Sequence, residues 1–265
     1  MLDLQAVRAV AEQAALRGGE VVMPLFNQPH NESTKANIYD VVTEGDKAVE
    51  AAIIPFLREA YPQFGIVSEE GGGAEFETGD YAWHIDPIDG TTNFANNIPF
   101  FSISIALADR ALNPVVGVVY NPVNREMFSA AHGQGATLNG MPIHASRLSD
   151  MNRAVMATGF STRRHTLPEE VNNLREFREM LWRVRDLRRF GSAALELAFV
   201  ACGRLDGFWE RHMNSWDVLG GVMLILEAGG AVSDYSGGMD QLLRGREVVA
   251  SNGLLHAEIL AVLNG

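Results

Sequence analysis

A chain of 265 residues, 47% hydrophobic and 20% charged, is long enough for one large core or two closely packed halves, and nothing in its composition argues for disorder. Its formal net charge of −12 argues against extended electrostatic binding to nucleic acid as a main activity, although an acidic protein can still hold phosphate through metal ions. The single cysteine, Cys202, rules out an internal disulfide, and the apolar run at 193–201 beside it predicts a buried small residue rather than a reactive thiol.

Asp3 and Gln5 near the start, with no basic region leading into an apolar one, give no sign of a signal peptide, and no apolar run reaches membrane-spanning length. A soluble, cytoplasmic protein is expected. Helical spacing of Val7, Val10, Ala11 and Ala14 after Asp3 predicts a first amphipathic helix. Val49, Ala52, Ile53, Phe56 and Leu57 after Asp46 predict a second. Short β-prone runs at 65–68, 83–85, 101–107, 115–120 and 126–130 predict a largely antiparallel middle, with Asn139-Gly140 as a tight hairpin turn. After Pro168 the pattern reads as helix through Val184, then helix at 192–202, strand at 206–210 and helix at 216–228. Without repeats or a long polar linker, a layered sandwich of helices and sheets is the economical architecture.

Four acidic fragments carry the chemistry. In 83–94 an apolar strand runs into Asp86-Pro87-Ile88-Asp89-Gly90-Thr91. Pro87 fixes the backbone between two acids, and Gly90-Thr91 suits a bend whose N–H groups could face an anion. Taken alone, metal platform and capped turn are equally good readings. Glu69-Glu70 before three glycines reads, in isolation, as a solvated loop. Asp217, in the stretch 214–221, and Asp46, in 40–46, each read equally well as helix caps.

In this order and context the fragments resemble the inositol monophosphatase family, within the lithium-sensitive, Mg²⁺-dependent sugar phosphatases. The likeness covers nearly the whole chain. It rests on Ile85-Asp86-Pro87-Ile88-Asp89-Gly90-Thr91-Thr92-Asn93-Phe94 and on Trp216-Asp217 through Gly229-Gly230, supported by Gly191-Ser192-Ala193-Ala194 and Phe208-Trp209-Glu210. Leu219 and Asn214 depart from the usual pattern and bear on the substrate rather than the reaction.

The resemblance implies a layered α/β/α/β/α sandwich spanning 1–265 as one domain, with halves at about 1–145 and 146–265. It implies two or three Mg²⁺ ions per site, held by Glu69, Asp86, the Ile88 carbonyl, Asp89 and Asp217. Glu69, Thr91 and Asp86 would carry catalysis by attack of an activated water. Asp89, Gly90, Thr91, Ala193, Glu210 and Asp217 would meet the substrate, with Glu210 setting specificity. Lys35, Asp46 and Glu70 would stand behind the ligands as electrostatic partners, Glu70 alternatively serving a third ion. The implied reaction is hydrolysis of inositol 1-phosphate or a similar polyol phosphate by a homodimer sensitive to lithium. Histidinol phosphate, fructose 1,6-bisphosphate and a 3′-phosphorylated nucleotide are the alternative substrates. A relative known as a partner of bacterial transcription machinery gives a different reading, for which only Arg183, Arg185, Arg188 and Arg189 speak; a helical basic run is more often a solvated face. His84 is expected to be structural.

Overall fold

Asp3 caps the first helix, α1 (Leu4–Val22), accepting from the N–H groups of Gln5 and Ala6 at 3.1 and 3.2 Å. A short ladder of β1 (Ser33–Thr34) and β2 (Val41–Val42) leads into α2 (Glu44–Ala60). The structure, a computed structural model, describes residues 2–29, 33–35, 38–39, 41–71, 79–162, 165–168, 171–244 and 246–265. Asp40 and the glycine loop at 72–73 lie outside the described residues.

Seven strands form the first sheet in chain order: β3 (Gly65–Ser68), β4 (Tyr81–Asp89), β5 (Ser102–Asp109), β6 (Pro114–Asn121), β7 (Glu126–Ala131), β8 (Ala136–Leu138) and β9 (Met141–Pro142). The short helix α3 (Thr91–Ala95) lies between β4 and β5. Only β3 and β4 run parallel; the other pairings are antiparallel. Asn139 and Gly140, at φ 51° and 80°, make the predicted hairpin turn with both central residues in the left-handed region.

The second half supplies β10 (Val155–Thr158), α4 (Leu174–Leu181), β11 (Asp186–Arg188), α5 (Ala193–Ala201), β12 (Gly207–Arg211) and α6 (Ser215–Glu227). β13 (Ala231–Ser233), α7 (Asp240–Leu243), β14 (Glu247–Ser251) and α8 (His256–Asn264) complete it. Its five-stranded sheet has the order β11-β10-β12-β14-β13. Three apolar clusters fill the gaps between layers. One joins α1 and α2 to the large sheet, a second sets α5 and α6 between the two sheets, and the third joins the small sheet to α8 and α4. The α/β/α/β/α order follows from these burials. Because α5 and α6 are covered on both sides, they are apolar around nearly their whole circumference.

Two expectations need correction. The helix predicted through Val184 ends at Leu181, and the chain returns as edge strand β11, paired parallel to β10. The arginines at 183–189 are therefore not a helical face: Arg183 and Arg185 precede the strand, Arg188 lies in it bonded to Asp186 at 2.5 Å, and Arg189 follows it. Cys202 is only half-buried, at the end of α5, although burial still pushes its thiol up.

Candidate active site

The Asp86-Pro87-Ile88-Asp89 segment ends β4, and its geometry turns on one extra residue. Asp86 pairs with Ser104 and Asp89 with Ser102, so β4 advances three residues while β5 advances two. In a regular strand, residues three apart face opposite sides of the sheet. The bulge, at a proline that has no N–H to donate, removes that difference and turns both aspartates to one side. The Ile88 N–H donates to Asp86 Oδ1 at 3.0 Å and fixes the bend.

The parallel neighbour brings the second acid. Glu69 follows β3, and its N–H continues the ladder by donating to Ile85 O at 3.2 Å. Its carboxyl thereby comes near enough to that of Asp86 to push the Asp86 pKa up, after burial. Two carboxyls so placed need a shared proton or a cation between them. Lys35 supplies a cation at the edge, donating from Nζ to Glu69 Oε1 at 2.9 Å and to Glu70 Oε1. Burial would lower the Lys35 pKa, but the two glutamates outweigh it and hold the ammonium charged.

Asp217 arrives from the first turn of α6. Asn214 is the N-cap, and Asp217, three residues on, accepts from its N–H at 2.6 Å in a capping box. Thr43 and Asp46 repeat the device at α2, where the Thr43 N–H donates to Asp46 Oδ2 at 2.7 Å. Neither aspartate is thus the cap itself. The other oxygen of Asp46 accepts from the Thr91 hydroxyl at 3.1 Å, a distance the hydroxyl also keeps to Ile88 O.

Asp89 is fixed by the start of α5. Ser192 Oγ and Ala194 N donate to its Oδ2 at 2.5 and 2.8 Å, and Ala193 N donates to Oδ1 at 3.2 Å. A side chain from the large sheet so satisfies the N–H groups that open this helix. Gly90, at φ 98°, lets the chain pass so close to the Gly191 carbonyl that a Cβ there would lie 3.0 Å from its oxygen.

Glu69, Asp86, Ile88, Asp89, Gly90, Thr91, Ala193, Glu210, Asp217 and Lys35 all line one cavity of about 360 Å³. Asp46 and Glu70 stand behind it through Thr91 and Lys35. Burial pushes Asp86 well above the usual carboxylate range, helped by Glu69, Asp89 and Asp217, and pushes Asp217 likewise, helped by Glu69. Glu210 is pushed up to about 8 by burial, against the lowering effect of Arg189. Gly159 makes room for it: a Cβ there would lie 2.0 Å from Glu210 Oε2.

Among the described residues, no three His, Cys, Asp or Glu side chains stand as a ready-made cage for one ion. The donor set nevertheless fits Mg²⁺, which takes one or two carboxylates per ion and fills its shell with water and substrate phosphate. Hard oxygens of strongly repelling, buried carboxylates are present, together with the Ile88 carbonyl.

Gly159 and Glu196 line the cavity without having been expected there, and so does Arg189, expected only as part of a basic face. Glu196 is fully buried, bonded through Oε1 to the Phe190 N–H at 3.0 Å, with Oε2 unpartnered. Its signal was visible as a lone acid in an otherwise apolar helix. His84, by contrast, is structural as expected, its Nδ1 2.8 Å from Ser215 Oγ at the start of α6, and burial pushes it down to about 4.

A sequence model of the inositol monophosphatase family matches residues 3–265. The inositol-1-monophosphatase of Synechocystis sp. is 40% identical over 261 residues, 98% of this chain and 90% of that relative. Nus factor SuhB of Escherichia coli K12 is 41% identical over 244 residues, 92% of this chain and 90% of its own. The structure of the inositol monophosphatase from Anabaena (Nostoc) sp. PCC 7120 matches with a TM-score of 0.88 at 38% identity, covering 99% of this chain and 97% of its own. With the family model spanning nearly the whole chain and relatives at this identity along it, the protein belongs to the inositol monophosphatase family.

Proposed function

We propose that this protein is a Mg²⁺-dependent phosphomonoesterase that hydrolyses inositol 1-phosphate or a similar small polyol phosphate. The observation that carries the reading is the convergence of Glu69, Asp86, Asp89 and Asp217 on one cavity. Mg²⁺, when bound, supplies positive charge that polarises the phosphate and activates water. Asp86, which burial together with Glu69, Asp89 and Asp217 pushes up, would hold Mg²⁺ along with these acids and the Ile88 carbonyl. The N–H groups opening α3 at Gly90 and Thr91 have no intrahelical partner and suit a phosphate oxygen. A homodimer is the assembly this reading implies.

Thr91 and Asp46 handle the proton of the attacking water. One hydroxyl hydrogen serves one acceptor at a time, so when Thr91 donates to Asp46 its lone pairs are free to accept from water. Asp46, pushed up to about 6 by burial, can take that proton near neutral pH. Asp46→Asn is expected to lower kcat by about 10- to 100-fold with KM little changed. Steady-state kinetics decides this; an unchanged kcat would remove Asp46 from the relay.

Glu210 is the specificity residue of this reading. Near neutral pH its carboxyl keeps a proton and can both donate to and accept from a polyol hydroxyl. Phosphate release should be measured from inositol 1-phosphate, histidinol phosphate, fructose 1,6-bisphosphate and 3′-phosphoadenosine 5′-phosphate, with and without Mg²⁺. We expect Mg²⁺-dependent turnover of the inositol ester, and a fall of about tenfold in kcat/KM on polyol esters in Glu210→Gln. Absence of phosphate release from the inositol ester by folded protein in Mg²⁺ would defeat the reading.

The likeness to a relative named Nus factor SuhB favours a second role by protein contact. Arg183 and Arg185, exposed beside the 81%-exposed Trp182, are the side chains available for it.

A further inference from the structure

Glu196 is the one acid of α5, a helix covered on both sides, and no step of the reaction uses it. An ionisable group buried there costs free energy that a single hydrogen bond returns only in part, so the stability of the fold does not account for it.

The bond it makes runs backwards along the chain. Oε1 accepts from the Phe190 N–H at 3.0 Å, two residues before the helix cap Ser192. In a capping box the acid three residues after the cap bonds the cap's own N–H; here the acid one residue further on reaches past the cap into the loop. The Phe190 carbonyl is held from the other side, by Asn93 Nδ2 of α3 at 2.7 Å, which also donates to Phe100 O at 2.6 Å. The Phe190 and Phe100 rings stack with centroids 4.6 Å apart. Both polar backbone groups of Phe190 are thus bonded to side chains, one from each flanking helix.

The residues after Phe190 are the ones that hold Asp89. Gly191, at φ 88°, turns the chain into Ser192, whose hydroxyl makes no capping bond to its own helix and donates to Asp89 instead. The Ala193 and Ala194 N–H groups donate to the same carboxyl. A shift of Phe190 therefore reaches, within four residues, all three donors that the start of α5 gives to Asp89.

We propose that Glu196 is a positioning residue: by fixing Phe190 it sets the start of α5 against Asp89, and so the orientation in which that carboxylate is offered to a divalent cation. It acts as an acceptor rather than as a charge. Burial pushes its carboxyl well above the usual carboxylate range, against the lowering effect of the Phe190 N–H. Oε2 has no partner among the described residues, so the Phe190 bond is the contact that a substitution removes. The proposal rests on the phosphatase reading for one point, that Asp89 holds Mg²⁺.

The test compares wild type with Glu196→Gln, which keeps shape and acceptor, and Glu196→Met, which keeps length and helix propensity but loses the acceptor without opening a cavity. Amide hydrogen exchange on metal-free protein reads the loop. In Glu196→Met the amides of Phe190, Ala193 and Ala194 are expected to exchange about tenfold faster with those of β6 unchanged, and in Glu196→Gln none should move. Calorimetric titration with Mg²⁺ alone reads the site: binding about tenfold weaker in Glu196→Met and within about twofold of wild type in Glu196→Gln. With inositol 1-phosphate, the Mg²⁺ concentration giving half-maximal rate should rise about tenfold in Glu196→Met, while kcat at saturating Mg²⁺ falls less than about threefold. Wild-type Mg²⁺ binding by Glu196→Met, or an equal loss in both variants, overturns the proposal. If wild type neither binds Mg²⁺ nor releases phosphate, the phosphatase reading fails, and the exchange contrast between the two variants alone decides whether Glu196 holds the loop.

Discussion

Replacing Asp86 by Asn is expected to reduce Mg²⁺-dependent phosphate release by on the order of a thousandfold, at or above the cost of losing one preorganised electrostatic contact. The substitution is nearly isosteric, and the Asn oxygen can still accept from the Ile88 N–H that fixes the bulge at 3.0 Å. What disappears is the charge facing Glu69, Asp89 and Asp217. The same change should leave metal-free protein as stable as wild type or more so, because it removes one member of a buried, mutually repelling group. Thermal melts across a Mg²⁺ titration, run beside the rate assay, separate the two effects. The expected pattern is a stable variant that gains little from Mg²⁺ and turns over almost nothing. A variant with wild-type rates would show that Asp86 does not hold the catalytic metal.

In the absence of divalent metal, stability is expected to fall as pH rises from about 6.5 to 8.5, the reverse of a protein held by ionised salt bridges. Burial pushes Asp46 up to about 6 and Glu210 up to about 8, and it raises Asp86 and Asp217 as well. A carboxyl with a raised folded-state pKa binds its proton more tightly in the native than in the unfolded chain. Its contribution is complete below the unfolded value and is lost as pH climbs through the folded one. For Asp46, at about 1.4 kcal/mol per pH unit of separation, the whole loss is about 3 kcal/mol, most of it below about pH 5.5; above that pH the remainder is offset by His84, held down to about 4 by burial, as the unfolded chain releases its proton. Glu210 adds its loss up to about pH 8. Saturating Mg²⁺ should flatten or invert the slope, since the ion replaces the protons that the cluster holds. Urea midpoints in EDTA and in Mg²⁺ across this range measure both slopes. A metal-free midpoint that is level or rises with pH would mean the carboxylates are not held apart from water as described.

Local chemistry along the chain specifies most of the elements and the residue types that carry the reaction. Asp3 before a helical spacing, Asn139-Gly140 between strands and an apolar run ending in two aspartates each contain their own signal, because capping, turn geometry and strand burial act over a few residues. The motif around Asp86 and Asp89 was legible for the same reason. Tertiary structure decided the rest. Asp86 and Asp89 stand three apart, which in a regular strand would set them on opposite faces; only pairing with β5, which places one extra residue at Pro87, turns them the same way. Glu69 and Asp217 read as a loop acid and a cap until β3 pairs parallel with β4 and α6 packs between the sheets. Glu196 stands out as the lone acid of its helix, but the direction it points is not legible, for a different reason. A helix covered on both sides is apolar all round, so periodicity gives no direction to its one acid, and only the Phe190 N–H from the preceding loop shows where it points. Short-range stereochemistry is written residue by residue, whereas the convergence of charges is set by contacts between segments far apart in the chain, which no local pattern encodes.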